Sequence, residues 1–112
     1  MFNVNGQSIS ITKGDTATFT ITFTGQDVPE DGTDVLVSLK KTKTSATAVW
    51  EKRLKIASGV VSVLLRTIDT NIDFGQYWWD VRILFSDGSV YTPMQPASFK
   101  VVEVIGDVEP EN

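Results

Sequence analysis

At 112 residues the chain fits one domain around one core, and at that size about two-thirds of the unfolded surface is buried without a covalent staple. It has no cysteine and no histidine, which excludes disulfides, thiolate metal sites, cysteine nucleophiles and the commonest general base near neutral pH. A formal net charge of −4 repels nucleic acid and anionic lipid, so neither is an expected partner.

The opening MFNVNGQSISITKG has no basic segment followed by an apolar run, so no signal peptide is expected. No apolar run approaches the roughly 20 residues that span a bilayer. Strand chemistry begins at once. Ser8 to Thr12 alternates, with Ile9 and Ile11 on one side, and Lys13-Gly14-Asp15 is a turn. Thr16 to Thr24 is the cleanest strand: Ala17, Phe19, Ile21 and Phe23 share an inward face, and the alternating threonines share a solvated one.

Gly25 to Thr33 is a loop. Asp27, Glu30, Asp31 and Asp34 form an acidic cluster there, but their spacing does not match a calcium loop, so the expected metal content is none. Asp34 to Thr42 is the next strand, with Val35, Val37 and Leu39 inward and Leu36, Ser38 and Lys40 outward. Lys40-Lys41-Thr42-Lys43 reads as lysine decorating a sheet edge. Thr44 to Ala48 is a loop. Val49 to Ile56 and Val60 to Arg66, joined by Ala57-Ser58-Gly59, read as a hairpin with Val61, Val63 and Leu65 inward. Glu51 and Arg53 are expected to pair weakly on one face.

Thr67 to Phe74 suggests one helical turn that buries Ile68, Ile72 and Phe74, with Asp69-Thr70-Asn71 as a turn or cap. Gln76 to Phe85 is the central strand. Tyr77, Trp79, Val81, Ile83 and Phe85 face inward; Trp78, Asp80, Arg82 and Leu84 face out. Gly75, Tyr77 and Trp79 carry the spacing of a corner that a tyrosine hydroxyl closes, and Trp79 falls where antibody domains place their second core cysteine. Ser86-Asp87-Gly88-Ser89 is a hairpin turn. Val90 to Met94 returns as a short or edge strand, bracketed by Pro93 and Pro96. Ala97 to Ile105 closes the set, with Phe99 and Val101 inward. The fold class is therefore all-β, an immunoglobulin-like β-sandwich of about seven to eight antiparallel strands over residues 1–105. Residues 106–112 are expected to be an acidic disordered tail or linker stub.

No catalytic constellation stands out. The serines have no histidine to activate them. Asp69, Asp73 and Asp80 are too loosely spaced to name as a hydrolytic carboxylate pair. No glycine-rich phosphate loop is present. The chain is expected to be no enzyme and to hold no cofactor. Trp50 and Trp78 lie outside the main core face, where tryptophan stacks on sugars or anchors a protein interface. Asp80 and Arg82 share the face of Trp78 and are expected to form an ion pair. Trp78, Trp50, Asp80 and Arg82 are the candidate interaction surface.

From Val61 through Val101 an ordered set of residues stands out: Leu65, Asp69-Thr70, Gly75, Tyr77, Trp79-Asp80-Val81, Asp87-Gly88, Thr92, and Phe99 with Val101. Lys13-Gly14-Asp15-Thr16 and Lys40 extend it. The pattern resembles the immunoglobulin-like domain at the N-terminus of phage upper-baseplate proteins. That resemblance implies a non-enzymatic structural domain of a phage or prophage virion, attaching a baseplate, tail or fibre component to other virion proteins or to further copies of itself. It also implies assembly in the host bacterial cytoplasm. The competing reading is a bacterial adhesin-like or carbohydrate-binding module using Trp50 or Trp78. These pattern residues are core and turn residues, and they transfer fold more directly than function.

Overall fold

The structure, a computed structural model, describes residues 2–4 (backbone only), 8–25, 28–93 and 96–103. Nine strands and one helical turn follow in order: β1 (Phe2–Val4), β2 (Ile9–Thr12), β3 (Ala17–Gly25), β4 (Asp34–Lys40), β5 (Trp50–Lys55), β6 (Val60–Leu65), α1 (Thr67–Thr70), β7 (Gly75–Leu84), β8 (Val90–Tyr91) and β9 (Ala97–Val102). The chain is all-β. A three-stranded sheet has the order β1-β3-β6, and a larger curled sheet has the order β2-β9-β7-β4-β5, with β8 added on β7.

Period-two alternation decides which side of each strand is dry. On β4 and β7 it places Val35, Val37, Leu39, Tyr77, Trp79, Val81 and Ile83 in the core. On β3 and β6 it adds Ile21, Phe23, Val61, Val63 and Leu65, and on β9 Phe99 and Val101. These residues form a single buried cluster contributed by both sheets. Each large side chain in it contributes about 1.5–3 kcal/mol against exposure. Phe19 is only partly buried and sets its ring edge against Trp79, with centroids 5.4 Å apart. Ala17, expected inward, is exposed at the strand's first position.

Four expectations are corrected. First, Val49–Ile56 and Val60–Arg66 are not a hairpin. Their connection makes one isolated bridge, Ala57 to Val60, and the strands then part: β5 pairs with β4, and β6 with β3. Both strands carry core-facing residues. Placed in different sheets, those faces converge on the core from opposite sides. Ser58 and Gly59 turn the corner at φ 53° and 74°. A Cβ on Gly59 would lie 3.3 Å from the Phe23 carbonyl, so glycine suits this position on two counts.

Second, α1 does not bury Ile68 or Phe74. Ile68 is 74% exposed and Phe74 is also exposed, while the polar Asp69 and Thr70 are buried. Hydrogen bonding explains the inversion. Thr70 Oγ1 donates to the Asp15 carbonyl at 2.7 Å, and Asp69 binds two donors described below. Of the three apolar residues, Ile72 alone packs on the core. Third, Lys40 lies on β4, an interior strand between β7 and β5, and is therefore not an edge decoration. Fourth, the strands are not all antiparallel: β2 runs parallel to β9, pairing Ile9 with Phe99 and Thr12 with Val102. The sequence reading also missed β1, which is three residues long. Met94, Ile105 and the tail 106–112 lie outside the described residues.

The corner forms as its spacing predicts. Tyr77 Oη donates to the Asp73 carbonyl at 2.8 Å, which ties the start of β7 to the segment after α1. Two residues on, Trp79 enters the core at 2% exposure. Trp79→Ala removes the largest ring of the cluster and is expected to cost about 3–5 kcal/mol. A urea denaturation curve measures this, and a loss below about 1 kcal/mol contradicts a central role for the ring.

Candidate functional site

The sequence placed Trp78, Asp80 and Arg82 on the outward side of the central strand. The structure keeps them together on the face of the large sheet that points away from the core. Cross-strand register supplies their neighbours on β4: Lys40 opposite Trp78, Ser38 opposite Asp80, and Leu36 opposite Arg82. Ser98 of β9 flanks Trp78 on the other side. The face is not fully wet. Trp78, Asp80, Arg82, Leu36 and Leu84 are half-buried and Ser38 is buried.

Asp80 and Arg82 form no ion pair, contrary to expectation. The hydroxyl of Ser38, which stands between Asp80 and Glu51 in register, donates to Glu51 Oε2 at 3.4 Å. Among the described residues Asp80 Oδ1 is buried and accepts no hydrogen bond. A buried polar atom without a partner costs on the order of 1–3 kcal/mol, so a donor brought to this face by another molecule would recover that energy. Arg82 has no carboxylate partner among the described residues, because Asp34 instead bridges Arg53 at 2.8 Å and Lys55 at 2.7 Å. The expected Glu51–Arg53 pair is displaced by those bonds.

Sequence reasoning missed Lys43. Its ammonium lies 4.2 Å from the Trp78 ring centroid, so the β4–β5 loop folds over the face and covers one side of the indole. The KKTK run was the available signal, but only the tertiary path of the loop brings it onto Trp78. Leu36 and Leu84 also carried a legible signal, being apolar residues at outward register.

Trp50 is not part of this surface. It lies on the opposite, core-facing side of the sheet. Its ring sits edge-on to Phe99 with centroids 6.3 Å apart, and its Nε1 donates to the Asp69 carbonyl at 3.1 Å. The reason is its register on β5, shared with Lys52 and Leu54, which points to the core. Trp50 instead belongs to a polar clasp built on Asp69. Asp69 Oδ2 accepts from Lys52 Nζ at 2.8 Å and from the Arg66 backbone N–H at 2.8 Å, while the Asp69 N–H donates to the Arg66 carbonyl at 2.8 Å. A lysine at core-facing register between Trp50 and Leu54 was the signal that a counter-ion must be nearby.

Burial by itself would raise the pKa of Asp69. The Lys52 ammonium and the Arg66 N–H outweigh it, and the carboxyl is held below its ordinary value. The acidic loop is likewise committed to structure: Asp31 accepts from the Ser58 N–H at 2.9 Å, and Asp34 holds its two cations. Among the described residues no cluster of acidic, histidine or cysteine groups has metal-holding geometry, and no helix is long and apolar enough to cross a membrane. No protein-family model matches the chain, and no curated protein matches it.

Two outcomes are expected from this geometry. Asp69→Ala strands the Lys52 ammonium and costs about 3–5 kcal/mol by urea denaturation. Because the folded pKa is depressed, the stabilisation is present above about pH 4 and is lost as pH falls through the folded value. Asp69→Asn therefore flattens part of the acid limb of a stability-against-pH curve. By contrast, Asp80→Ala is expected to cost no stability and to gain up to about 1 kcal/mol, since it removes a buried oxygen that has no partner. A loss above about 1.5 kcal/mol in the same assay identifies Asp80 as a structural residue.

Proposed function

We propose that the chain is a non-enzymatic structural domain of a phage or prophage virion, an immunoglobulin-like β-sandwich in its finer class, that joins a baseplate, tail or fibre component to its neighbours. Three things support the reading: the ordered residues from Leu65 to Val101, the closed Tyr77 corner, and an outer face suited to protein contact. The observation that carries the contact role is the half-buried patch of Trp78 and Arg82 beside the unpartnered oxygen of Asp80. A protein partner would cover the indole, supply a donor to Asp80 and offer a carboxylate to Arg82. The partners are other virion proteins, met in the host bacterial cytoplasm during assembly.

The glycan-binding alternative fits this face less well. Lys43 occupies one side of the Trp78 ring, and stacking on a sugar needs a free ring face. Trp50, the other indole suggested for that role, is turned into the core.

Mass spectrometry of particles released from the source bacterium on lysis tests the proposal. The chain is expected among the particle proteins, and Arg82→Glu is expected to cut its incorporation about tenfold, as the loss of about 1.4 kcal/mol at an interface would. Particles that lack the chain while it accumulates free in the cell overturn the reading. Glycan-array binding abolished by Trp78→Ala would replace it with the carbohydrate module.

A further inference from the structure

On the outer face of the large sheet the charges lie in rows. Ser38 of β4 stands opposite Asp80 on one side and Glu51 on the other, so one row crosses three strands with a carboxylate at each flank. The next row has Leu36 at its centre and Arg82 and Arg53 at its flanks. On β7 the two rows do not neutralise each other. Asp80 Oδ1 is buried without a donor, and Arg82 has no carboxylate partner among the described residues, since Asp34 holds Arg53 and Lys55.

The two ends of the face repeat the opposition. At one end the last ladder pair joins Lys40 to Trp78, and the β4–β5 loop beyond it carries Lys41 and Lys43, both exposed. At the other end the last pair joins Asp34 to Leu84. Beyond that pair lies a cleft of about 750 Å³, lined by Glu30 and Asp31 together with Leu84 and Phe85. Val90 of β8, opposite Leu84, adds an exposed apolar side chain there. From the loop to the cleft the face is therefore basic, acidic, basic and acidic in turn. A pattern of that order, turned end for end, is its own complement.

We propose, on the reading of this face as a protein contact surface, that it binds a second copy of the chain, the two large sheets packing face to face about a two-fold axis that crosses β4 and β7 at Val37 and Val81. Val37 and Val81 are a register pair, so the axis runs straight across the strands. It lies in the interface, and each strand of one copy runs antiparallel over the same strand of the other. Residues equally far from Val81 on its two sides then meet. Arg82 meets Asp80, so each copy supplies what the other lacks. Trp78 meets Leu84 beside Val90, and Arg53 meets Glu51. The basic loop of each copy lies over the acidic cleft of the other. Because the face satisfies itself at every step, a second copy fits it better than a protein of unrelated surface. Three strands about 4.8 Å apart and four outward positions about 6.8 Å apart give a footprint on the order of 400 Å² per copy, about half that of a stable complex, so the dimer is reversible.

Sedimentation equilibrium of the full chain, across a series from micromolar to millimolar concentration, tests the site. The parent is expected to shift from one-chain to two-chain mass as concentration rises. Arg82→Glu sets carboxylate against carboxylate at both symmetry-related contacts, and Asp80→Arg sets guanidinium against guanidinium. Each variant alone is expected to stay monomeric, with circular dichroism showing that it is folded. Mixed in equal amounts, the two variants are expected to form a mixed dimer, because each contact then has one acid and one arginine. Lys41→Glu together with Lys43→Glu, both on an exposed loop, is expected to weaken the parent dimer at least about tenfold. A parent chain that stays monomeric throughout overturns the proposal. So does a dimer that survives these variants, or a mixture of Arg82→Glu and Asp80→Arg that stays monomeric. If the parent is monomeric while Arg82→Glu is still lost from released particles, this proposal fails and the face remains a contact surface for a different virion protein.

Discussion

The two sheets are held at one side by a single carboxylate. Asp69 sits 7% exposed at the start of the turn after β6, and it receives Lys52 from β5, an edge strand of the other sheet. The same residue offers its carbonyl to Trp50 and closes the backbone of Arg66. The side of the fold where β5 and β6 diverge thus depends on one buried anion, where a small domain with cysteines would use a covalent bond. Burying a charge is costly unless it is paired and hydrogen-bonded, and both conditions are met here. The arrangement also explains why a four-residue helix forms at all. Its buried residues are the polar ones, and its one strongly apolar member, Ile68, is left in solvent.

The start of β7, a few residues further on, is closed differently. There the Tyr77 hydroxyl reaches back four residues to Asp73, and Trp79 fills the space behind it. The corner aligns β7 with β4 and β9 on either side, so the central strand sits at the middle of the large sheet. Its two faces then have separate tasks. One carries Tyr77, Trp79, Val81 and Ile83 into the core. The other carries Trp78, Asp80 and Arg82 to a surface that is only partly wet and whose charges are not paired with one another.

Much of this was legible in residue order. Strict alternation identified the inward sets of β4, β6 and β7, because burial on one side of a pleated strand leaves a period of two in the sequence. The Gly75, Tyr77, Trp79 spacing identified the corner. Pairing partners were not legible. The chain from Trp50 to Leu65 has the alternation and tight turn of a hairpin, and nothing local says that its strands join different sheets. The parallel docking of β2 on β9 joins residues some ninety positions apart and leaves no local trace. The outer surface was legible as far as Trp78, Asp80 and Arg82, which share one strand. Trp50 was placed outside the core, whereas its register with Leu39 turns it inward; the charged Lys52 on the same side of β5 leaves that face without a clear apolar period. Lys43 and Ser38 reached the site only through tertiary register.

The parallel pair has a mechanical meaning. Phe2 pairs with Gly25 at one end of β3, whereas Val102 accepts from Lys13 near the other end, where β3 begins. Among the described residues, the outer ends of the first and last strands therefore lie at opposite poles. Tension between those poles meets the short β1–β3 pairing first, and once it passes on to β2 it pulls β2 and β9 along their own lengths in opposite senses. The evenly spaced bonds of the parallel ladder share that load and are sheared together, where an antiparallel pair of terminal strands would open one bond at a time.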